Sequence, residues 1–318
     1  MANKYSLSRI IRLPRRLSLR EAKNEQRENE WHALERLFKK LYDSSDSVIP
    51  ADLLQSLPIN LQPLDLETDD IPNTDRFFRP WSVVKLETHV RSTEVTEANE
   101  DVAVVESILK DDTPRYKAMG GCKTWEWASE LCYRLMWEVA VAPRKGTEGD
   151  LQTIKTVYGW RCLPYLPDDY RFQPWLCSQQ GSWYPKYYFY IPGNSPHIKI
   201  CMYHNADGVS GQILREELLA MLAAMISRLG QNKFRKHLII PVCTPNIFSQ
   251  LMLFSFVGKQ HGRIFLAHFD GKGLVVRMSE LYPFMAGEED FHQNLFLFTR
   301  YLAGEIDPRG ETTRFRHI

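Results

Sequence analysis

LMLFSFVGKQHGRIFLAHFDGKGLVVRMS, residues 251–279, decides the fold. Three short runs, LMLFSFVG, GRIFLAHF and LVVRMS, are rich in β-branched and aromatic residues, and glycine-bearing turns separate them at 258–262 and at Asp270-Gly271. Connections this short leave no room for a crossover helix, so the runs read as an antiparallel meander. Upstream, HLIIPV (237–242) reads as one more strand, and HIKICMYH (197–204) alternates as a strand before a turn with Asn205, Asp207 and Gly208. Between these two, ILREELLAMLAAMISRLG (213–230) is a long apolar helix that ends on Gly230. A helix over about 288–301 closes the chain's regular structure. The order predicts an α+β class: a C-terminal helix and an antiparallel strand meander flanked by helices, with a helical N-terminal region.

Working outward, TWEWASELCYRLMWEVAVAP (124–143) places Trp125, Leu131, Leu135 and Val139 around most of a helix, as a buried helix requires. RKGTEGD (144–150) reads as an exposed loop, and in the Pro-, Trp- and Tyr-rich stretch 160–192 only YYFYI has strand composition. Pro50, Pro58, Pro63, Pro72 and Pro80 punctuate an acidic region that reads as a linker, with a short helix near 51–57 and a polar helix over about 94–110. The expected division is therefore a basic arm and amphipathic helix (1–42), an acidic Pro-containing linker (43–114) and an α+β domain (115–318).

The N-terminus carries the sharpest functional signal. Residues 1–40 hold eleven Lys/Arg against five Asp/Glu, whereas residues 41–112 hold five against sixteen. Arg9, Arg12, Arg15, Arg16, Arg20 and Lys23 form cationic clusters that an acidic groove of a nuclear import receptor can bind on an extended segment. A mitochondrial presequence shares the Arg/Ser bias, but Pro14 would break the amphipathic helix it needs. A nucleic-acid arm is a third reading, in which Arg forks contact phosphates. From Ser18 the pattern turns helical, with Glu21 at capping-box spacing, and Trp31, Leu34, Leu37, Phe38 and Leu41 share one face. That stripe either binds an unidentified protein partner or docks on the protein's own core.

Chemistry-bearing motifs are sparse. Cys122, Cys132, Cys162, Cys177, Cys201 and Cys243 show no C-x-x-C pair, so neither a structural metal nor a cofactor is expected, and the thiols read as reduced. No run approaches the roughly 20 apolar residues of a membrane span. MYHNADG resembles an H-x-x-x-D-G acyltransferase motif, but His204 and Asp207 stand one residue too close and Tyr203 holds the place of the required histidine. A restriction-nuclease-like Mg²⁺ site could be built from Glu217 on the helix with Asp270 and Lys272 as an acid-x-Lys, although residues 237–257 supply no further acid. His261 and His268 flank a strand beside Arg263 and offer a proton-transfer reading against that of ordinary core histidines.

Residues 252–284, MLFSFVGKQHGRIFLAHFDGKGLVVRMSELYPF, together with HLIIPV, resemble a family of proteins that recur in filamentous fungi; the resemblance covers mainly residues 160–304. CTPNIFSQL (243–251) departs from the family's pattern as an insertion between two segments that are usually adjacent. Taken with the basic N-terminus, the resemblance implies a non-enzymatic nuclear regulator of a subtelomeric gene cluster, linked to hypoxia, virulence and biofilm-like colony form. It makes residues 9–23 a bipartite import signal and the nucleus the expected location, with the cytoplasm as the alternative.

Overall fold

The computed structural model describes residues 19–68, 78–89, 124–145, 151–157, 159–163, 183–192, 195, 197–231, 250–258, 261–284 and 288–306. The apolar runs that open the sequence analysis form β8 (Leu251–Gly258), β9 (His261–Phe269) and β10 (Leu274–Met278), paired as an antiparallel meander. Gly271 makes the β9–β10 turn at φ +87°, where a side chain would be strained. β7 (Ile198–Asp207) runs parallel to β8, and parallel neighbours need a crossover, which α6 (Arg215–Gly230) supplies. β6 (Trp183–Tyr190) and β5 (Arg161–Leu163) extend the sheet antiparallel beyond β7. At the other edge β1 (Ile59–Pro63) pairs parallel with β10, giving the order β1-β10-β9-β8-β7-β6-β5, with β11 (Tyr282–Pro283) also on β9. The chain is thus α+β, as expected, around an eight-stranded mixed sheet.

Both faces of the sheet are covered. Ile198, Ile200, Met202, Leu251, Leu253, Phe265, Ala267 and Val276 point to one side, against α6 and α1 (Leu19–Tyr42). The alternate residues Cys201, Tyr203, Met252, Phe254, Phe256, Ile264 and Leu266 point to the other, against α4 (Thr124–Ala140) and α7 (Glu288–Ala303). Double coverage explains why these strands are near-continuous apolar runs. The smaller elements ring this body: α2 (Ala51–Ser56), β2 (Phe78–Arg79), α3 (Val83–Thr88), β3 (Arg144–Lys145), β4 (Leu151–Gln152), α5 (Ile154–Val157) and β12 (Glu305–Ile306).

The linker expectation is corrected. The Val48 bridge to Leu214, the Arg215 N–H donating to Ser47 O at 2.9 Å and the whole of β1 sew residues 43–63 into the fold. Leu57, Leu64, Leu66, Phe78, Trp81 and Leu86 are all buried, and the Tyr301 hydroxyl donates to Leu66 O at 3.0 Å. A Cβ on Gly273 would collide with the Pro58 carbonyl, which accepts from Leu274 N–H at 2.8 Å; glycine lets β1 approach. Two of the prolines that read as linker punctuation, Pro58 and Pro63, instead bracket an edge strand, where a missing N–H costs nothing in pairing. Position 42/43 is therefore no domain boundary, while 114/115, the polar helix near 94–110, HLIIPV and the insertion-like 243–249 lie outside the described residues.

Candidate functional site

A row of polar side chains crosses the α6 face of the sheet where apolar residues prevail. His204 on β7, Ser255 on β8 and Arg263 on β9 share the parity of Met202, Leu253 and Phe265, and the register sets Ser255 opposite Arg263. Glu217, in the first turn of α6, meets them, and all four residues are fully buried. Its carboxylate accepts from Arg263 Nε at 2.9 Å, Arg263 Nη2 at 2.5 Å, Ser255 Oγ at 2.6 Å and the Leu214 N–H at 2.9 Å. Arg263 Nη1 also donates to Gln212 O at 2.6 Å, so one guanidinium both neutralises the buried acid and braces the β7–α6 loop. A bidentate, fully hydrogen-bonded pair is the form in which a buried ion pair persists.

Ser255 has one proton, which goes to Glu217; the His204 Nε2 N–H therefore donates to Ser255 Oγ at 3.0 Å. His204 Nδ1 has no partner among the described residues. Burial, with a smaller push from Arg263 and against the pull of Glu217, lowers the His204 pKa to about 4. Its folded value lies below the ordinary 6.5, so the unfolded chain binds the proton first. Stability is then lost as pH falls from about 6.5 towards 4, by about 3 kcal/mol at 1.36 kcal/mol per unit. Urea unfolding should show this: His204→Gln, which keeps an N–H for Ser255, loses less stability than wild type between pH 7 and pH 4, by about that amount. Parallel pH profiles for the two proteins would remove the assignment to His204.

The opposite face buries a lysine. Lys199 on β7 donates from Nζ to the carbonyls of Leu302 at 2.7 Å and Gly304 at 2.5 Å, at the C-terminus of α7. Its ammonium lies 4.2 Å from the Trp160 ring centroid and 5.6 Å from that of Phe78. Burial pushes its pKa well down, while the carbonyls, the rings and the helix terminus favour the charged form. Beside it, Cys132, Cys162 and Cys201 are free thiols; burial pushes Cys162 up to about 12 and Cys201 well above its usual range, so both are held as thiols.

The residues singled out in the sequence fall differently. Glu217 is consumed by Arg263 and Ser255. Asp270 follows Arg263 by seven residues along β9, roughly 23 Å of extended chain, and its carboxylate accepts from the Lys272 and Gly273 N–H groups in the hairpin turn. Glu217, Asp270 and Lys272 therefore do not converge, and the nuclease-like site is corrected to an ion pair at one end of β9 and a turn at the other. His204 is buried rather than open to an acceptor substrate, and His261 and His268 stand seven residues apart on β9. Among the described residues no group of three His, Cys, Asp or Glu could hold a metal ion, and no helix is long and apolar enough to cross a membrane.

The proposed partner-binding stripe is corrected too. Leu34, Leu37, Phe38 and Leu41 are buried in the core formed with α6, and Trp31 packs against it, so that face is taken. Arg9, Arg12, Arg15 and Arg16 lie outside the described residues, whereas Arg20 and Lys23 lie within α1. An extended cationic segment reaching Lys23 is thus not what the backbone has there.

His204, Glu217, Ser255 and Arg263 escaped the sequence reading as a connected set, and so did Lys199 on the other face. A polar residue in an apolar strand run was the available signal, but only the sheet's register shows which ones meet. Comparison of the chain with protein-family models, curated proteins and solved structures finds no match.

Proposed function

We propose that this chain is a nuclear regulatory protein: a basic address at the N-terminus of a compact α+β body that acts by binding a partner rather than by chemistry of its own. The observation that carries the reading is the charge distribution. Arg9, Arg12, Arg15, Arg16 and Arg20 come with no acid before Glu21, and the helix after them is committed to the body from Arg27 onward, where Arg27 donates to Gln231 O at 3.0 Å. Among the described residues, the fully buried Glu217, Arg263 and Lys199 serve internal hydrogen bonds, a structural use that supports the same reading. The resemblance of residues 252–284 to filamentous-fungal proteins, taken with the basic N-terminus, extends it to regulation of a gene cluster and of colony and biofilm form.

An import receptor is then the first partner, bound through the Arg side chains in an acidic groove. A full-length fluorescent fusion carrying Arg12, Arg15, Arg16 and Arg20→Ala should lose nuclear accumulation and distribute as a cytoplasmic protein. A quadruple variant as nuclear as wild type would overturn the address.

A further inference from the structure

The eight-stranded sheet ends at β1, and one side of that strand's backbone is unused. The Leu274 N–H donates to Pro58 O at 2.8 Å and the Leu64 N–H to Met278 O at 2.9 Å, with Ile59 to Pro63 in parallel register with Leu274 to Met278 between them. In a parallel ladder every second residue turns both backbone groups to its neighbour, so Asn60 and Gln62 face β10 while Ile59, Leu61 and Pro63 face outward. Pro63 has no N–H, and the Ile59 N–H is spent on Leu57 O at 2.7 Å. The outer edge therefore offers the carbonyls of Ile59, Leu61 and Pro63 and a single donor, the Leu61 N–H. Among the described residues no strand pairs with it.

This imbalance of donors and acceptors decides what can dock. A second copy laid antiparallel about Leu61 forms two hydrogen bonds, Leu61 N–H to Leu61 O in each direction, because the flanking pairs set Ile59 against Pro63, where neither chain has a free N–H. A strand with ordinary residues opposite Ile59, Leu61 and Pro63 forms four, donating three and accepting one. The edge is blunted against its own copies, as exposed edges commonly are, and remains open to a foreign strand.

The flanks indicate which strand. On the α1 and α6 side, Ile59 and Leu61 are half-buried and pack on the same core as Leu53 and Leu54 of α2, an apolar ledge beside the edge. The other side carries the amides of Asn60, exposed, and Gln62, half-buried. At its C-terminal end β1 runs on into Asp65 and Glu67, both exposed, and Glu280 shares their surroundings: burial and then the charges of Glu67, Asp65 and Glu280 raise the Tyr282 hydroxyl to about 12. Arg277, in register with Gln62, is half-buried and already engaged, and Lys272 lies in the turn before β10, at the opposite end of the edge.

We infer that the outer edge of β1 takes an extended, lysine- or arginine-flanked segment of a partner polypeptide as a further strand of the sheet. Its alternate side chains are apolar beside Leu53 and Leu54 and polar beside Asn60 and Gln62, and a cationic end meets Asp65 and Glu67. The inference goes beyond the nuclear address, because it names a surface and a strand chemistry that hold wherever the protein resides.

The test titrates the full-length protein into a fluorescent nonapeptide with blocked ends, Lys-Lys-Val-Thr-Val-Thr-Val-Lys-Lys, read by anisotropy in low salt. Two N-methylated versions carry the methyls on the valines or on the threonines. One removes every donor that faces the edge and the other removes none, so their affinities should differ at least about tenfold, and the weaker one reads the strand direction. Equal affinities, or no binding of the parent peptide, overturn the pairing. Replacing the four lysines by glutamates should weaken binding, and Glu67→Lys, an exposed change, should weaken the lysine peptide but not the glutamate one; a partner preference unmoved by either overturns the basic flank. Amide exchange followed by NMR locates the site. In the free protein Leu61 should exchange fast between protected Asn60 and Gln62, and saturating peptide should slow it at least about tenfold. A Leu61 amide that the peptide leaves unchanged, or one protected beforehand to a degree that grows with protein concentration, overturns the foreign strand. A wild-type fusion that is not nuclear would sink the address and leave these results standing.

Discussion

Arg263→Met lowers the stability of the protein by about 3–5 kcal/mol, the cost of leaving a buried charge without its partner. The substitution keeps most of the aliphatic volume and removes the donors at 2.9 and 2.5 Å from Glu217, together with the bond to Gln212 O that braces the β7–α6 loop. Glu217 would retain Ser255 and the Leu214 N–H, which solvate a carboxylate but do not neutralise it. Adding Glu217→Gln removes the stranded charge while keeping one acceptor oxygen. The double variant should therefore regain about 1–3 kcal/mol over Arg263→Met alone, the coupling expected of residues in direct contact. Urea unfolding of the two single variants and the double variant measures this. An Arg263→Met protein as stable as wild type would mean that the pair does not hold the β9–α6 junction.

Leu34→Ala costs about 2–5 kcal/mol, the range for removing a buried leucine from a core that relaxes only in part. Leu34 is fully buried among α6 side chains, and Leu41 is its equivalent two turns on. The size of this effect separates the two uses of the amphipathic stripe. A helix reserved for a partner would lose binding on truncation to Ala but leave the unfolding free energy of the isolated protein unchanged. A docked helix loses stability with no partner present. Glu28→Ala, at an exposed position of the same helix, is the control and should change stability by less than about 0.5 kcal/mol.

The meander was legible because its three strands carry their own punctuation, down to the Asp270-Gly271 turn. The helix of residues 215–230 was legible because its apolar side chains run nearly all round it, as in a helix buried between a sheet and another helix. β1 was hidden for the opposite reason. INLQP has two polar residues and a proline, and it becomes a strand because β10 offers an open edge and Gly273 lets the Pro58 carbonyl approach. Local propensity contains neither fact.

Strand parity alone also leaves one position unread. In HIKICMYH the alternation sets Lys199 on the face opposite Ile198 and Ile200, which reads as solvent until α4 and α7 are known to cover it. The polar row of His204, Ser255 and Arg263 needed the pairing of three strands and the position of Glu217 one helix away. The nuclease-like reading took Glu217 correctly to the start of its helix, but sequence spacing could not say that its partner on β9 would be Arg263 rather than Asp270.

The division of the first forty-two residues into a basic address and a docked helix is the central claim, and hydrogen exchange of the full-length protein tests it most directly. Backbone amides of residues 31–41 should exchange as slowly as those of α6 and β8, because opening α1 exposes Leu34, Leu37, Phe38 and Leu41 together. The same residues exchanging within seconds while α6 stays protected would contradict the account, and would return the stripe to the role of a free partner-binding surface.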